Sequence, residues 1–188
     1  MRIAWRRRRE GKTNYRRRKK AILSRKPLLY VFVSNKNINA QIIKPEIGGD
    51  KVLAHANTRH LLKMGWKFSR KNLPAAYLVG LLLGKRAKEA GINEAILYTG
   101  VKGFTPGSRV AAVVKGVMEA GIHVPFDKEV LPDEDRLKGK HIVDYFNDLK
   151  KKDPELAKRR FSALWDKNIE ELPSLVEKFK VKILGEGG

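Results

Sequence analysis

The sequence predicts an α/β fold: a mixed sheet built from a three-stranded antiparallel meander, followed by alternating helices and strands. Three observations carry this reading. Between residues 28 and 56, three short apolar runs are separated only by turn-forming clusters. Two later stretches, 75–83 and 110–118, carry apolar residues at helical spacing and are each followed by a glycine, Gly91 and Gly121. A short apolar run, Ala95–Thr99, lies between them. Short turns force neighbouring strands to run antiparallel, and a helical crossover brings a later strand back in parallel.

The elements can be justified in order. Leu28–Val33 is a continuous apolar run rich in β-formers and reads as a buried strand. Ser34-Asn35-Lys36-Asn37 is a turn cluster. Ile38, Ala40 and Ile42 alternate with Asn39 and Gln41, giving a half-buried second strand that Pro45 and Gly48-Gly49-Asp50 break. Val52, Ala54 and Ala56 alternate again in a third strand. Asn72 is placed to cap a helix with Pro74 in its first turn, and Ala75 through Leu83 leave little polar face, so the helix is expected to be well buried. Ala95–Thr99 is a strand. Thr105 is expected to cap the second helix, with Pro106 at its first position and Val110, Val113, Val114, Val117 and Met118 as one apolar stripe. Ile122–Phe126 reads as a last strand or edge segment. Beyond Pro132-Asp133-Glu134-Asp135, taken as a solvated linker, three helical stripes follow: Ile142, Tyr145, Phe146 and Leu149; then Phe161, Leu164 and Trp165 after Asp153-Pro154; then Leu172, Leu175, Val176 and Phe179. Each tail helix buries one face, against the domain or a partner protein.

Charge narrows the function. The 188 residues hold 41 Lys and Arg against 20 Asp and Glu, a formal net charge of +21. Self-repulsion of that size calls for a polyanion, nucleic acid first and an anionic membrane surface second. The excess is not uniform: residues 1–26 carry 13 bases and one acid, Glu10; residues 27–126 carry a net +9; residues 127–188 are balanced. The expected organisation is therefore a basic arm over 1–26, an α/β RNA-binding domain over 27–130 and a helical C-terminal extension over 131–188. The arm has too few large apolar residues to offset the cost of ordering its backbone, about 1–2 kcal/mol per residue. It is expected to be disordered alone and ordered on RNA. Its Arg-rich clusters leave no apolar face of the kind a presequence needs, no signal peptide is expected, and no apolar run is long enough to span a membrane.

Chemistry beyond binding finds little footing. The absence of cysteine excludes disulfides and thiolate zinc sites. His55, His60, His123 and His141 show no metal-ligand spacing, so neither metal nor cofactor is expected. Meander plus alternating helices also describes a ribonuclease H-like topology, but the first three strands carry no carboxylates for a two-metal centre. No enzymatic activity is expected; an RNA-processing enzyme and a DNA-compacting protein stay as competing classes. The loop Gly100–Gly107 joins a strand to a helix start, where free N–H groups favour an anion. RNA phosphates meeting this loop and Arg109 is one reading, and a tight turn is the other.

The arm carries a more specific signal. Arg6-Arg7-Arg8-Arg9-Glu10-Gly11-Lys12-Thr13-Asn14-Tyr15-Arg16 resembles the start of the ribosomal protein family called L-eighteen in bacteria and archaea and L-five in eukaryotes. In order along the chain, Ser34-Asn35-Lys36-Asn37-Ile38 with Gln41 resembles the family's first hairpin, and Asn72-Leu73-Pro74-Ala75-Ala76-Tyr77 with Gly80-Leu81-Leu82 its first long helix. Gly116 and Gly121-Ile122-His123-Val124-Pro125 resemble the end of its second helix, and His141-Ile142-Val143-Asp144-Tyr145 the tail of archaeal and eukaryotic members. Two positions depart: Val33 stands where members often carry a base, and Asn14 where many carry Asp. The resemblance implies a cytoplasmic, ribosomal structural protein of archaeal type that binds 5S rRNA, contacts large-subunit rRNA in the central protuberance and meets neighbouring large-subunit proteins. The residues expected to contact RNA are Arg6, Arg7, Arg8, Arg9, Lys12, Thr13, Asn14, Tyr15, Arg16, Arg17, Arg18 and Lys19 in the arm. Ser34, Asn35 and Lys36 at the hairpin, Arg70 and Lys71 before the first long helix, and Lys102 and Arg109 around the glycine-rich loop complete the set. Arginine forks grip phosphate bidentately, and Trp5 and Tyr15 among them are suited to stack on unpaired bases.

Overall fold

A computed structural model of the chain describes residues 3–165 and 168–185. Residues 1 and 2 of the expected arm, and 166–167 and 186–188 of the expected extension, lie outside these. The sheet is four-stranded and mixed, in the order β3-β2-β1-β4. Strands β1 (Leu28–Val33), β2 (Ile38–Pro45) and β3 (Asp50–Asn57) form the antiparallel meander, and β4 (Ile96–Tyr98) lies parallel to β1. Ile122–Phe126 does not form a strand; it contributes one isolated parallel bridge, Glu94 to His123.

Alternation holds where registers are regular. Leu29 and Val31 of β1 and Ala40 and Ile42 of β2 enter the main core, while Leu28, Tyr30 and Ile43 belong to a second apolar cluster on the other face. In β3 the expected series Val52, Ala54, Ala56 breaks. Ile42 pairs with Ala54 but Ile43 pairs with Val52, so Leu53 is an extra residue at a bulge. The bulge turns Val52 out of the core face and leaves it 49% exposed, while Ala54 and Ala56 stay buried.

Three early helices were not legible as helices: α1 (Arg6–Arg9) and α2 (Tyr15–Leu23) in the arm, and α3 (Thr58–Lys63) after β3. Asn57 starts α3 by accepting from the Arg59 amide, and His60 Nδ1 accepts from the Asn57 amide in return. The long helix α4 (Leu73–Glu89) begins as expected, with Asn72 accepting from the Ala75 amide. Helix α5 (Arg109–Glu119) starts later than expected, after Ser108 rather than Thr105. Gly107 at φ +63° bends the chain the wrong way for a helix, so Thr105–Ser108 is a turn. Helices α4 and α5 pack closely on the core face of the sheet, with glycines at their contact: a Cβ on Gly116 would sit 2.8 Å from the Leu81 amide nitrogen.

The tail comprises α6 (Glu134–Lys138), α7 (Lys140–Lys152), α8 (Pro154–Arg160) and α9 (Leu172–Leu184). The acidic segment expected to be a linker instead forms the first turn of α6, where carboxylates suit the helix dipole. Helix α8 ends before Phe161, so Phe161 and Trp165 stack on Phe146 from a turn rather than from the helix. Leu172, Val176, Phe179 and Ile183 of α9 join the main core against α4, and Phe179 meets Trp66 edge-on at 5.4 Å. No described helix is long and apolar enough to cross a membrane.

Candidate nucleic-acid interface

The arm is folded back on itself and on the sheet. Gly11 turns the chain between α1 and α2, Arg7 Nε donates to Thr13 Oγ1 at 2.9 Å, and Asn14 caps α2 by accepting from the Arg17 amide. The Trp5 and Tyr15 rings meet edge-on at 5.0 Å. Ala21 of α2 is buried in the second cluster with Leu28 and Ile43, against Tyr30, Ile96 and Tyr98. The expectation of a fully unstructured arm therefore does not hold over Tyr15–Leu23: a short apolar edge is enough when a sheet face offers it a partner.

Two further arginines expected at RNA tie α2 to the sheet and its loops. Arg17 Nη1 donates to the Gly100 carbonyl at 3.0 Å and lies 3.4 Å from Thr99 Oγ1 and the Lys102 carbonyl, clasping the glycine-rich loop. Arg18 pairs with Asp50 at 2.8 Å and donates to the Glu46 carbonyl at 3.1 Å, tying α2 to the tip of the β2–β3 hairpin. The bond to Asp50 raises the Arg18 guanidinium above its ordinary value. Burial pushes the neighbouring Tyr98 hydroxyl up, keeping it a neutral donor.

Between the arm and the second sheet face lies a cleft of about 720 Å³. Arg7, Lys12, Thr13, Asn14, Tyr15, Arg18 and Lys102, all expected RNA contacts, line it. Its floor is aromatic: Tyr30 and Phe32 from β1 and Tyr98 from β4, with Lys102 Nζ 4.8 Å above the Phe32 ring. Tyr30 and Phe32 were missed from sequence because the run Leu28–Val33 reads as uniformly buried, and Tyr98 because Ala95–Thr99 reads only as a short strand; the two-residue period of β1 puts Tyr30 and Phe32 on the face away from α4. Arg8, Arg9, Arg16 and Lys19 are exposed on the arm's outer surface and pair with no carboxylate among the described residues. Arg6 is exposed beside Glu10 at 3.5 Å.

A second basin of about 760 Å³ gathers Asn35, Lys36, Arg70 and Lys71 with Phe68, Arg160 and Phe161. Arg160, which also bonds the Tyr145 hydroxyl, was not singled out in the sequence because it lies more than 80 residues from Lys36, Arg70 and Lys71. Ser34 shapes the turn beside this basin, its hydroxyl accepting from the Asn37 amide at 2.9 Å. Arg109 stands half-buried at the start of α5 and lines neither basin. Among the described residues no group of three or more His, Asp or Glu side chains could hold a metal ion.

Two cation-rimmed basins, one floored by aromatic rings, on a chain of net charge +21 describe a protein built to hold a polyanion. The family model for the ribosomal large subunit proteins 60S L5 and 50S L18 matches residues 1–94. Over 185 residues the chain is 46% identical to the large ribosomal subunit protein uL18 of Caldivirga maquilingensis, covering 97% of this chain and 89% of that relative. The chain belongs to this family of large-subunit ribosomal proteins, in its archaeal form. It is a structural constituent of the cytoplasmic ribosome and an rRNA-binding component of a ribonucleoprotein, and its family is one of structural proteins rather than of enzymes.

Proposed function

We propose that the protein binds 5S rRNA and helps attach it to the large-subunit rRNA in the central protuberance, beside neighbouring large-subunit proteins of the 5S particle. The observation that carries this reading is the convergence of seven expected RNA contacts on one cleft beneath the basic arm. The arm's resemblance to the family's 5S-binding start names the RNA. The second basin, about as large, gives a separate basic surface for a second RNA segment, in keeping with a bridging role. In this reading residues 1–26 act as the RNA-binding arm, 27–130 as the RNA-binding domain and 131–188 as an extension that braces α4. The strand order, with β4 parallel to β1, supports describing the domain as ribonuclease H-like in topology alone.

Competition binding at fixed salt tests the proposal. Folded 5S rRNA should displace labelled 5S rRNA at concentrations at least tenfold below those needed of random RNA or duplex DNA. Equal competition by all three overturns it and leaves a general polyanion binder.

A further inference from the structure

We propose that Tyr30, Phe32 and Tyr98 form a stacking platform that takes unpaired bases, so that the cleft under the arm grips a single-stranded or looped RNA segment rather than a duplex. This rests on the reading of the protein as an RNA binder and adds the chemical form of the RNA at that site.

The second face of the sheet is only half covered. Helix α2 closes the end near Leu28, where Ala21, Leu28 and Ile43 are buried. Toward Phe32 the face is open. A sheet face left to water ordinarily carries polar side chains, and β2 does so with Asn39 and Gln41, which pair with Phe32 and Tyr30. Strands β1 and β4 instead present three aromatic rings. Phe32 is 38% exposed, with Ile47 at the hairpin tip 94% exposed and Val101 48% exposed on the same cleft. Tyr30 and Tyr98 stand 6.4 Å apart, tilted 43° to each other, and both line the cleft.

The surroundings fit a nucleotide chain and not merely an apolar ligand. Lys102 lies over the Phe32 ring, and Arg7 and Lys12 line the same cleft, Lys12 with its ammonium 2.8 Å from Glu10. Asp50, the one carboxylate lining the cleft, is already paired with Arg18, so it does not repel an incoming phosphate. Aromatic rings beside a row of cations are what an extended strand needs: each base has a face to stack and each phosphate a cation to meet. A duplex offers the first only at its ends. The cleft's volume of about 720 Å³ lies in the range that holds small organic ligands, enough for one or two bases.

Fluorescence of 2-aminopurine in a single-stranded dodecamer, titrated with the full chain, tests the platform against a duplex of equal phosphate count. The expected result is quenching on binding, together with affinity for the single strand above that for the duplex. Phe32→Leu, which keeps the apolar volume but removes the ring, should weaken single-strand binding roughly tenfold, as loss of one stacked base does. It should leave duplex binding and the salt slope unchanged. Phe32→Trp should retain quenching, which separates stacking from a folding defect. Equal affinity of wild type and Phe32→Leu for the single strand overturns the platform, as does an equal loss for strand and duplex. If 5S rRNA shows no advantage over random RNA while Phe32→Leu still erases the single-strand preference, the 5S assignment fails and the platform stands.

Discussion

Replacing Gly116 by alanine tests one of the closest approaches between α4 and α5. A Cβ there would lie 2.8 Å from the Leu81 amide nitrogen and closer still to the Tyr77 carbonyl oxygen. Both obstacles are backbone atoms of α4, so no side chain can rotate away. Restoring an ordinary contact of about 3.5 Å to the Leu81 nitrogen alone requires the helices to part by roughly 0.7 Å, and the Tyr77 oxygen demands more; a gap of that order forfeits a quarter to a half of the dispersion well for atoms across the seam. Val113, Val117, Leu81 and Gly80 share that seam and are buried. Overpacking of this kind costs about 3 kcal/mol. Alanine returns about 1 kcal/mol through its better helix propensity, leaving a net loss near 2 kcal/mol, or about 4–8 °C in Tm for a chain of this size. Thermal unfolding followed by circular dichroism reads this directly. Gly48→Ala, where an added Cβ meets nothing within 4 Å, is the control and should not move the midpoint. A Gly116→Ala midpoint at or above wild type would refute the reasoning.

Three further outcomes are expected. Changing Arg8, Arg9, Arg16 and Lys19 together to glutamine should make the slope of log K against log salt shallower by about 3, at roughly 0.7–0.9 per phosphate; an unchanged slope means the arm's outer surface does not face RNA. Phe179→Ala should cost about 3–5 kcal/mol in denaturant unfolding, since the ring is buried against Trp66, while 5S rRNA affinity under folding conditions holds; an unmoved midpoint would remove α9 from the core. Burial and the nearby Arg86 hold the His60 imidazole below its ordinary 6.5. The unfolded chain then binds the proton more readily, so stability is full above about pH 6.5 and falls as pH drops below it. His60→Gln should flatten the Tm-against-pH curve in that window, and a curve of the same steepness would assign the loss to other groups.

The parts of the fold that were legible are those where a local signal met no competitor. Asn72 and Pro74 opened α4 where expected, and Leu28–Val33 is a strand to the residue, because caps and apolar runs act through neighbours in sequence. What failed depended on contacts far along the chain. Val52 was misplaced because one extra residue, Leu53, sits in a bulge that alternation cannot reveal. Helix α2 looked too polar to fold because its partner, the Leu28–Ile96 edge of the sheet, lies outside its own sequence window. Arg17 and Arg18 could not be told from Arg16 by composition, although their neighbours Gly100 and Asp50 give them structural work. The aromatic floor was visible as letters and invisible as a face, since a strand covered on both sides and one half-open spell the same apolar run.

The position of α9 has a consequence in time. Helix α4 is complete at Glu89, but the helix that seals its outer flank ends at Leu184, 95 residues later. Synthesis at about 5–20 residues per second leaves that flank without its cover for on the order of 5–20 s in every nascent chain. Tyr77, which lies against Val176 and Lys180 of α9, and its neighbours are then available to any other apolar surface nearby. A protein destined for the ribosome is thus at its stickiest while still leaving one, with its arm already out and carrying more than half of its net positive charge. Whatever first shields that arm from stray RNA has to act before the last helix arrives.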